Sequence, residues 1–176
     1  MMIDVPIIMS DSTKEADEVK AKVRSWLEEE NLLGNDHTDN KLLWAFVCKF
    51  NNGWPFMVYQ GIDDKDKIAA STELKLHERD QKKLRALRAP QREDFLLNLQ
   101  LALLETKCGF TLTPNREKLE KIGFQKIMFY DGLSKQNLMD GLFSIFNCIL
   151  MVTWRFRQAF GSQASDKEQD HLMPYG

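Results

Sequence analysis

The residues best suited to chemistry in this chain are three histidines, three cysteines and one acidic triplet. Asp63, Asp64 and Asp66 are close enough in sequence to share a cation, as a calcium loop requires. Such a loop also needs glycine at its sixth position and a bidentate glutamate at its twelfth, and no frame supplies both. The triplet therefore reads as a solvated turn. His37, His77 and His171 fall in a loop, at a strand-to-helix junction and in the tail. No two share one element at ligand spacing, so no metal site is expected from them. His77 is expected to cap the helix that follows it. Cys48, Cys108 and Cys148 are odd in number, far apart and set in apolar surroundings, with no CxxC pair. They read as buried free thiols of a reducing compartment rather than as a disulfide framework or zinc site. The chain contains no GxGxxG, GxxxxGK[ST], HExxH or GxSxG pattern. No catalytic residue and no cofactor is expected.

Two charge runs remain. Residues 75–92 carry seven bases against two acids, and Lys82, Lys83, Arg85 and Arg88 form the basic patch at their centre. This is the best candidate for contact with nucleic acid, through the electrostatics of the phosphate backbone. No aromatic residue is interleaved there, so base stacking is not offered. Residues 1–40 balance the patch with ten acids against four bases, and the whole chain has a net charge of −2. A dipolar surface accounts for both runs, and nucleic-acid binding is the weaker reading. Glu28, Glu29 and Glu30 close a helix against its dipole, which reads as a solvated face.

The elements that must hold these residues follow from pattern. The 176 residues, 43% hydrophobic and 28% charged, have the profile of one globular domain. Residues 1–160 are expected to form a single α+β domain and residues 161–176 a polar tail. The opening MMIDVPIIM has no basic region and is interrupted by Asp4 and Pro6, unlike a secretory signal. The longest apolar stretch, residues 141–154, falls short of the ~20 residues a membrane span needs. The expected location is cytoplasmic, with no membrane contact.

A first helix is predicted over residues 13–31, with Ser12 and Glu15 as a capping box and Gly34 as its stop. Val19, Val23, Trp26 and Leu27 give its inner face. Two strands follow, residues 42–50 and 54–60, joined at Asn52-Gly53. A two-residue loop sets Lys49 opposite Phe56 and Val47 opposite Val58. Trp44, Phe46, Cys48 and Phe50 then share a face with Pro55, Met57 and Tyr59. A three-residue loop would exchange these faces. Either way both faces are apolar and need cover. A third strand, residues 67–76, alternates between an apolar and a polar face, as expected near a sheet edge. Then come a short helix near residues 78–88 with Leu84 and Leu87 inward, and a second helix from Pro90 to residue 107. Its stripe is Phe95, Leu96, Leu99 and Leu103. Strands at 110–113 and 124–130 and a helix over 134–160 complete the order α-β-β-β-α(α)-β-β-α. This is an α+β fold, an antiparallel sheet of about five strands with flanking helices.

The last helix is the most informative. Leu138, Leu142, Ile145, Ile149, Val152 and Phe156 form one stripe at helical spacing. Met139, Phe143, Phe146, Leu150 and Trp154 form a second stripe beside it. The apolar sector spans roughly 240°, where about 100° suffices for a helix on one surface. One sheet face covers one stripe. Neighbouring helices, a second subunit or a client segment must cover the other.

The element order, the GWPFMVYQG hairpin with its DKIAAS strand, and IMFYDGLSKQNLMDGLFSIFNCILMVTW together resemble a family of uncharacterised archaeal and bacterial proteins. That family is similar in fold to type III secretion chaperones. The resemblance spans residues 13–160 and is carried by the hydrophobic pattern, Pro55 and the YDGL turn at residues 130–133. It implies a type III secretion chaperone-like architecture, an antiparallel sheet flanked by helices and often dimeric. Secretion chaperones of this shape bind extended client segments. The resemblance implies no reaction for any residue. The expected function is a protein-binding or chaperone-like module, a homodimer or client binder. One alternative is a small-molecule binder or enzyme with a pocket between sheet and helix around Trp44, Tyr59 and His77. The other is nucleic-acid binding through the basic patch.

Overall fold

Helix α1 (Asp11–Glu29) opens the part of the chain that the computed structural model describes, residues 11–161. The apolar opening and the polar tail lie outside these residues. Ser12 is already helical, whereas a capping residue must have non-helical backbone. The expected capping box therefore does not start this helix. Its end also differs from expectation. Asn31 adopts φ 56, and the amides of Asn31 and Leu32 donate to the carbonyls of Glu28 and Leu27 at 3.0 and 2.9 Å. This is a Schellman stop, with asparagine in the left-handed position that glycine usually takes.

Gly34 instead lies in strand β1 (Leu33–His37), an edge strand that the pattern did not reveal because its residues after Leu33 are exposed. A Cβ on Gly34 would meet the Val47 carbonyl oxygen at 2.5 Å, so this position requires glycine for close approach. The remaining strands are β2 (Leu42–Lys49), β3 (Pro55–Gly61), β4 (Lys67–Lys75), β5 (Gly109–Thr113) and β6 (Lys121–Phe129). They form one six-stranded sheet in the order β1-β2-β3-β4-β6-β5, with every neighbouring pair antiparallel. The count is six rather than about five because β1 joins the edge. The alternating strand β4 is central, not near an edge, so its wetter face reports on the whole sheet.

The β2–β3 hairpin has a three-residue loop, not the two-residue loop. Phe50 and Trp54 close it, with the Gly53 amide on the Phe50 carbonyl at 2.7 Å and Gly53 at φ 84. Asn51-Asn52-Gly53 is thus a type I turn followed by a left-handed residue. Phe56 pairs with Cys48 and Val58 with Phe46. The one-residue slip exchanges the faces. Trp44, Phe46 and Cys48 share the buried face with Phe56 and Val58, and Met57 and Tyr59 lie opposite with Ala45 and Val47. Pro55 begins β3, where a missing donor costs little.

Helices α2 (Glu78–Ala86), α3 (Ala89–Glu105) and α4 (Lys135–Phe160) complete the chain, with a 3₁₀ turn at Tyr130–Gly132 before α4. Ser134 caps α4 by accepting from the Asn137 amide at 3.2 Å. α1 and α4 lie on the same sheet face. Arg24 of α1 sits over the Phe46 ring at 4.9 Å, and Phe146 of α4 stacks on Phe50 at 5.3 Å. α3 packs beside α4 through Phe95, Phe156 and Phe160. The core fills the space between this face and the helices, with Phe46, Phe124, Ile122, Leu142 and Ile145 at its centre.

Candidate functional site

The buried stripe of α4 is the one expected. Leu138, Leu142, Ile145, Ile149, Val152 and Phe156 all lie in the core. The glycine between them, Gly141, lets the helix approach Met128 and Lys126 of β6. Taken over its whole length α4 is long and apolar enough to cross a membrane, beyond the shorter stretch seen in the sequence. Its first stripe is instead committed to β4 and β6.

The second stripe divides. Phe146 meets Phe50, which in turn lies 4.3 Å from Phe56, so the hairpin end covers this position. Met139 and Leu150 are half-buried. Phe143 and Trp154 remain 62% and 54% exposed. Two large aromatic side chains thus stand out from a helix whose opposite side is core. α3 carries a comparable outer row that the sequence reading missed, exposed Leu97, Leu101 and Leu104. Their i, i+4, i+7 spacing was the available signal, masked by the stronger inner stripe of the same helix.

The sheet's other face is exposed at β6, whereas Ala45 and Ala69 on it are buried. No helix covers it among the described residues. Ala45, Tyr59, Ala69 and Ile127 form a row across four adjacent strands, and Val47 pairs with Met57 beside it. Ile127 and Phe129 on this face are 48% and 53% exposed. The Tyr59 hydroxyl accepts from Gln125 at 2.7 Å. The apolar second face of the hairpin was legible in the sequence, and the chain's described helices do not cover it.

The residues of the expected pocket do not converge. Trp44 is buried on the helix side, donating to Gln60 Oε1 at 2.9 Å, and Tyr59 is on the opposite face. His77 caps α2 by accepting from the Arg79 amide at 3.2 Å. Gln60 is the hub of a buried polar knot. It also accepts from the Tyr130 hydroxyl at 2.7 Å and donates to the Asp64 carbonyl at 2.6 Å. Burial pushes the Tyr130 hydroxyl pKa up. A shallow cleft of about 390 Å³ lies between α3 and α4, lined by Leu101, Glu105 and Arg155 among others.

Three of the four residues of the basic patch make internal contacts. Lys83 donates to the Phe160 carbonyl at the end of α4, 2.7 Å away, and Arg85 reaches Glu120 at 3.5 Å. Arg88 donates to Gln91 at 3.4 Å, and Lys82 is exposed. The acidic run is likewise partnered. Lys135 at the start of α4 bridges Glu29 and Glu30 at 2.8 and 2.6 Å. This lowers the Glu29 pKa and raises that of Lys135, in each case first through their shared hydrogen bond. All three cysteines are free and buried. Among the described residues no three His, Cys, Asp or Glu side chains cluster as a metal site would require.

No curated protein sequence matches the chain. A crystal structure of an uncharacterized protein from Methanothermobacter thermautotrophicus is similar in fold, with a TM-score of 0.77 at 23% identity. The alignment covers 81% of this chain and 99% of that one. The HopA1-SchA chaperone-effector complex contains a chain with a TM-score of 0.48 at 14% identity, covering 78% of this chain and 92% of that one. The sequence model of a family described as "Uncharacterized conserved protein (DUF2299)" matches residues 19–156, most of the sequence, and the chain belongs to that family.

Proposed function

We infer that this chain is a protein-binding module that pairs with a second copy of itself through the outer stripe of α4. The observation that carries this reading is the exposure of Phe143 and Trp154 on one side of an otherwise core-forming helix. Aromatic side chains of this size dominate interface energies when a partner desolvates them. From Met139 to Trp154 the stripe is about 22 Å long at 1.5 Å per residue, enough for a self-complementary helix pair about a two-fold axis. Half-buried Phe146 and Leu150 supply the floor between the two projecting rings, and half-buried Met139 extends it beyond Phe143.

Size-exclusion chromatography with light scattering tests the reading. The wild type should be a dimer. Phe143→Asp with Trp154→Asp should be a monomer with unchanged far-ultraviolet circular dichroism, because both side chains are exposed and neither supports the core. A dimeric double variant would place the interface elsewhere. A wild type that stays monomeric at high concentration would remove self-pairing altogether.

The sheet's second face favours a second reading, in which an extended client segment packs on the exposed apolar residues of β6. Exposed Ile127 and Phe129 are the supporting observation. Ile127→Lys with Phe129→Lys should abolish any suppression of aggregation of a denatured client while leaving the dimer intact. Equal suppression by the variant and the wild type would reject this face.

A further inference from the structure

Cys108 and Cys148 are forty positions apart in sequence, yet the fold brings them to one hydroxyl group. Thr106 ends α3 and Lys107 turns the chain back in the left-handed conformation, φ 57. The turn brings Cys108 under α4. There Thr106 Oγ1 accepts from the Cys148 thiol at 3.2 Å and from the Cys108 amide at 3.3 Å. The two thiols thus face one hydroxyl, close enough for each to be the first influence on the other's ionisation. Lys126 of β6 fixes the rim by donating to the Lys107 carbonyl at 3.0 Å. Cys108 keeps 7% exposure and Cys148 has none.

We propose that Cys108 and Cys148 form a reversible dithiol–disulfide pair that covalently ties α4 to the connection between α3 and β5. The contact between the thiols selects the role of each. The neighbouring Cys148 thiol lowers the Cys108 pKa to about 7, and Lys126 adds to the effect against the cost of burial. The same proximity, with burial, raises the Cys148 pKa. Cys108 is therefore the more readily ionised of the two, and the thiolate is the nucleophile. Hydrogen peroxide is the oxidant. The Cys108 thiolate attacks one peroxide oxygen, the O–O bond breaks, and the departing hydroxide takes up a proton to leave as water. Cys108 is then a sulfenic acid. The Cys148 sulfur attacks the Cys108 sulfur, the S–O bond breaks, and the second water leaves with the Cys148 proton. Two thiols are oxidised and one peroxide is reduced to two waters. A dithiol reductant reverses the bond by exchange. Cys48 provides the internal contrast. It is buried on β2 with its thiol 3.7 Å from the Phe46 carbonyl, and burial raises its pKa to about 12.

Folded protein treated with a small excess of hydrogen peroxide, then denatured and alkylated with N-ethylmaleimide, tests the pair. One alkylated cysteine should replace three, and the intact mass should fall by two hydrogens before alkylation. Peptide mapping should find Cys108 joined to Cys148, and dithiothreitol should restore three alkylated sites. Cys148→Ala should stop at a sulfenic acid on Cys108 that dimedone traps, and Cys108→Ala should leave Cys148 reduced. The wild-type peptide map decides the matter even if a variant folds poorly. Three alkylated thiols after oxidation would overturn the proposal, as would a cross-link through Cys48 or a sulfinic acid at Cys108 with Cys148 still free.

Discussion

Replacing Gln60 with leucine should destabilise this protein, and the polar knot says why. Gln60 is 1% exposed and holds Trp44, Tyr130 and the Asp64 carbonyl at 2.9, 2.7 and 2.6 Å. Leucine conserves bulk but orphans the Trp44 indole N–H inside the core. An unsatisfied buried donor costs about 1–3 kcal/mol. The half-buried Tyr130 hydroxyl and the Asp64 carbonyl turn to water and lose less, while leucine returns some apolar burial. The expected net loss is about 2–3 kcal/mol. For a domain of this size that lowers Tm by about 4–12 °C. Urea and thermal unfolding followed by circular dichroism measure it. Trp44→Phe combined with Gln60→Leu removes the orphan and should recover about 1–2 kcal/mol. If Gln60→Leu lies within about 0.5 kcal/mol of wild type, or the double variant is no more stable than the single, the knot is not what holds this end of the sheet.

Gly34→Ala should destabilise by about 1–3 kcal/mol, since its Cβ would press on the Val47 carbonyl; loss of amide protection confined to β1 and its partner would show the site of damage. Lys107→Gly should raise the urea midpoint by the equivalent of about 0.5–1 kcal/mol, because a left-handed backbone favours glycine. Alkylation of Cys108 in the folded protein should rise with pH through about 7, because the thiol form predominates below that pH and the thiolate above it; Cys148 from α4 and Lys126 from β6 are the groups that set it, and Cys48 should stay unreactive. A flat profile from pH 5.5 to 8.5, on the order of the range histidine spans, would contradict the assignment. Lys135→Ala should leave the unfolding midpoint within experimental scatter, since its bridges to Glu29 and Glu30 are solvent-exposed and screened.

Periodicity made α4 legible, down to the six residues that became core, because a helix repeats its faces regularly and twenty-six residues average out local noise. It could not say which part of the second stripe would meet a neighbour. Phe146 is covered only because Phe50 ends the hairpin beside it, a contact between residues far apart in sequence. The hairpin itself was legible but its register was not. Asn51-Asn52-Gly53 suits a loop of either two or three residues, and the choice fell to the option that buries Phe46, Phe56 and Val58 together. β1 escaped because an edge strand needs little apolar patterning, and its ladder with β2 forms through backbone alone. The Cys108–Cys148 pair left no local trace at all. Each cysteine looks like an isolated small hydrophobe until α3 and α4 are laid side by side.

The position of β4 in the sheet has a consequence for how the chain assembles. β1 to β4 form a meander, each strand beside its predecessor, and can be built from short-range pairings. β6 then pairs with β4 from Lys67 opposite Phe129 to Lys75 opposite Lys121. The chain between, residues 76–120, is pinched at its neck by the Leu76 amide on the Glu120 carbonyl, 2.8 Å apart. Its α2, α3 and β5 hang from that clamp as one excursion. Closing so long a loop costs entropy before the β4–β6 ladder repays it, so this pairing carries a larger loop-closure cost than the hairpins of the meander. The excursion also carries Cys108 to α4, so the oxidisable pair joins the excursion to the helix that follows the seam.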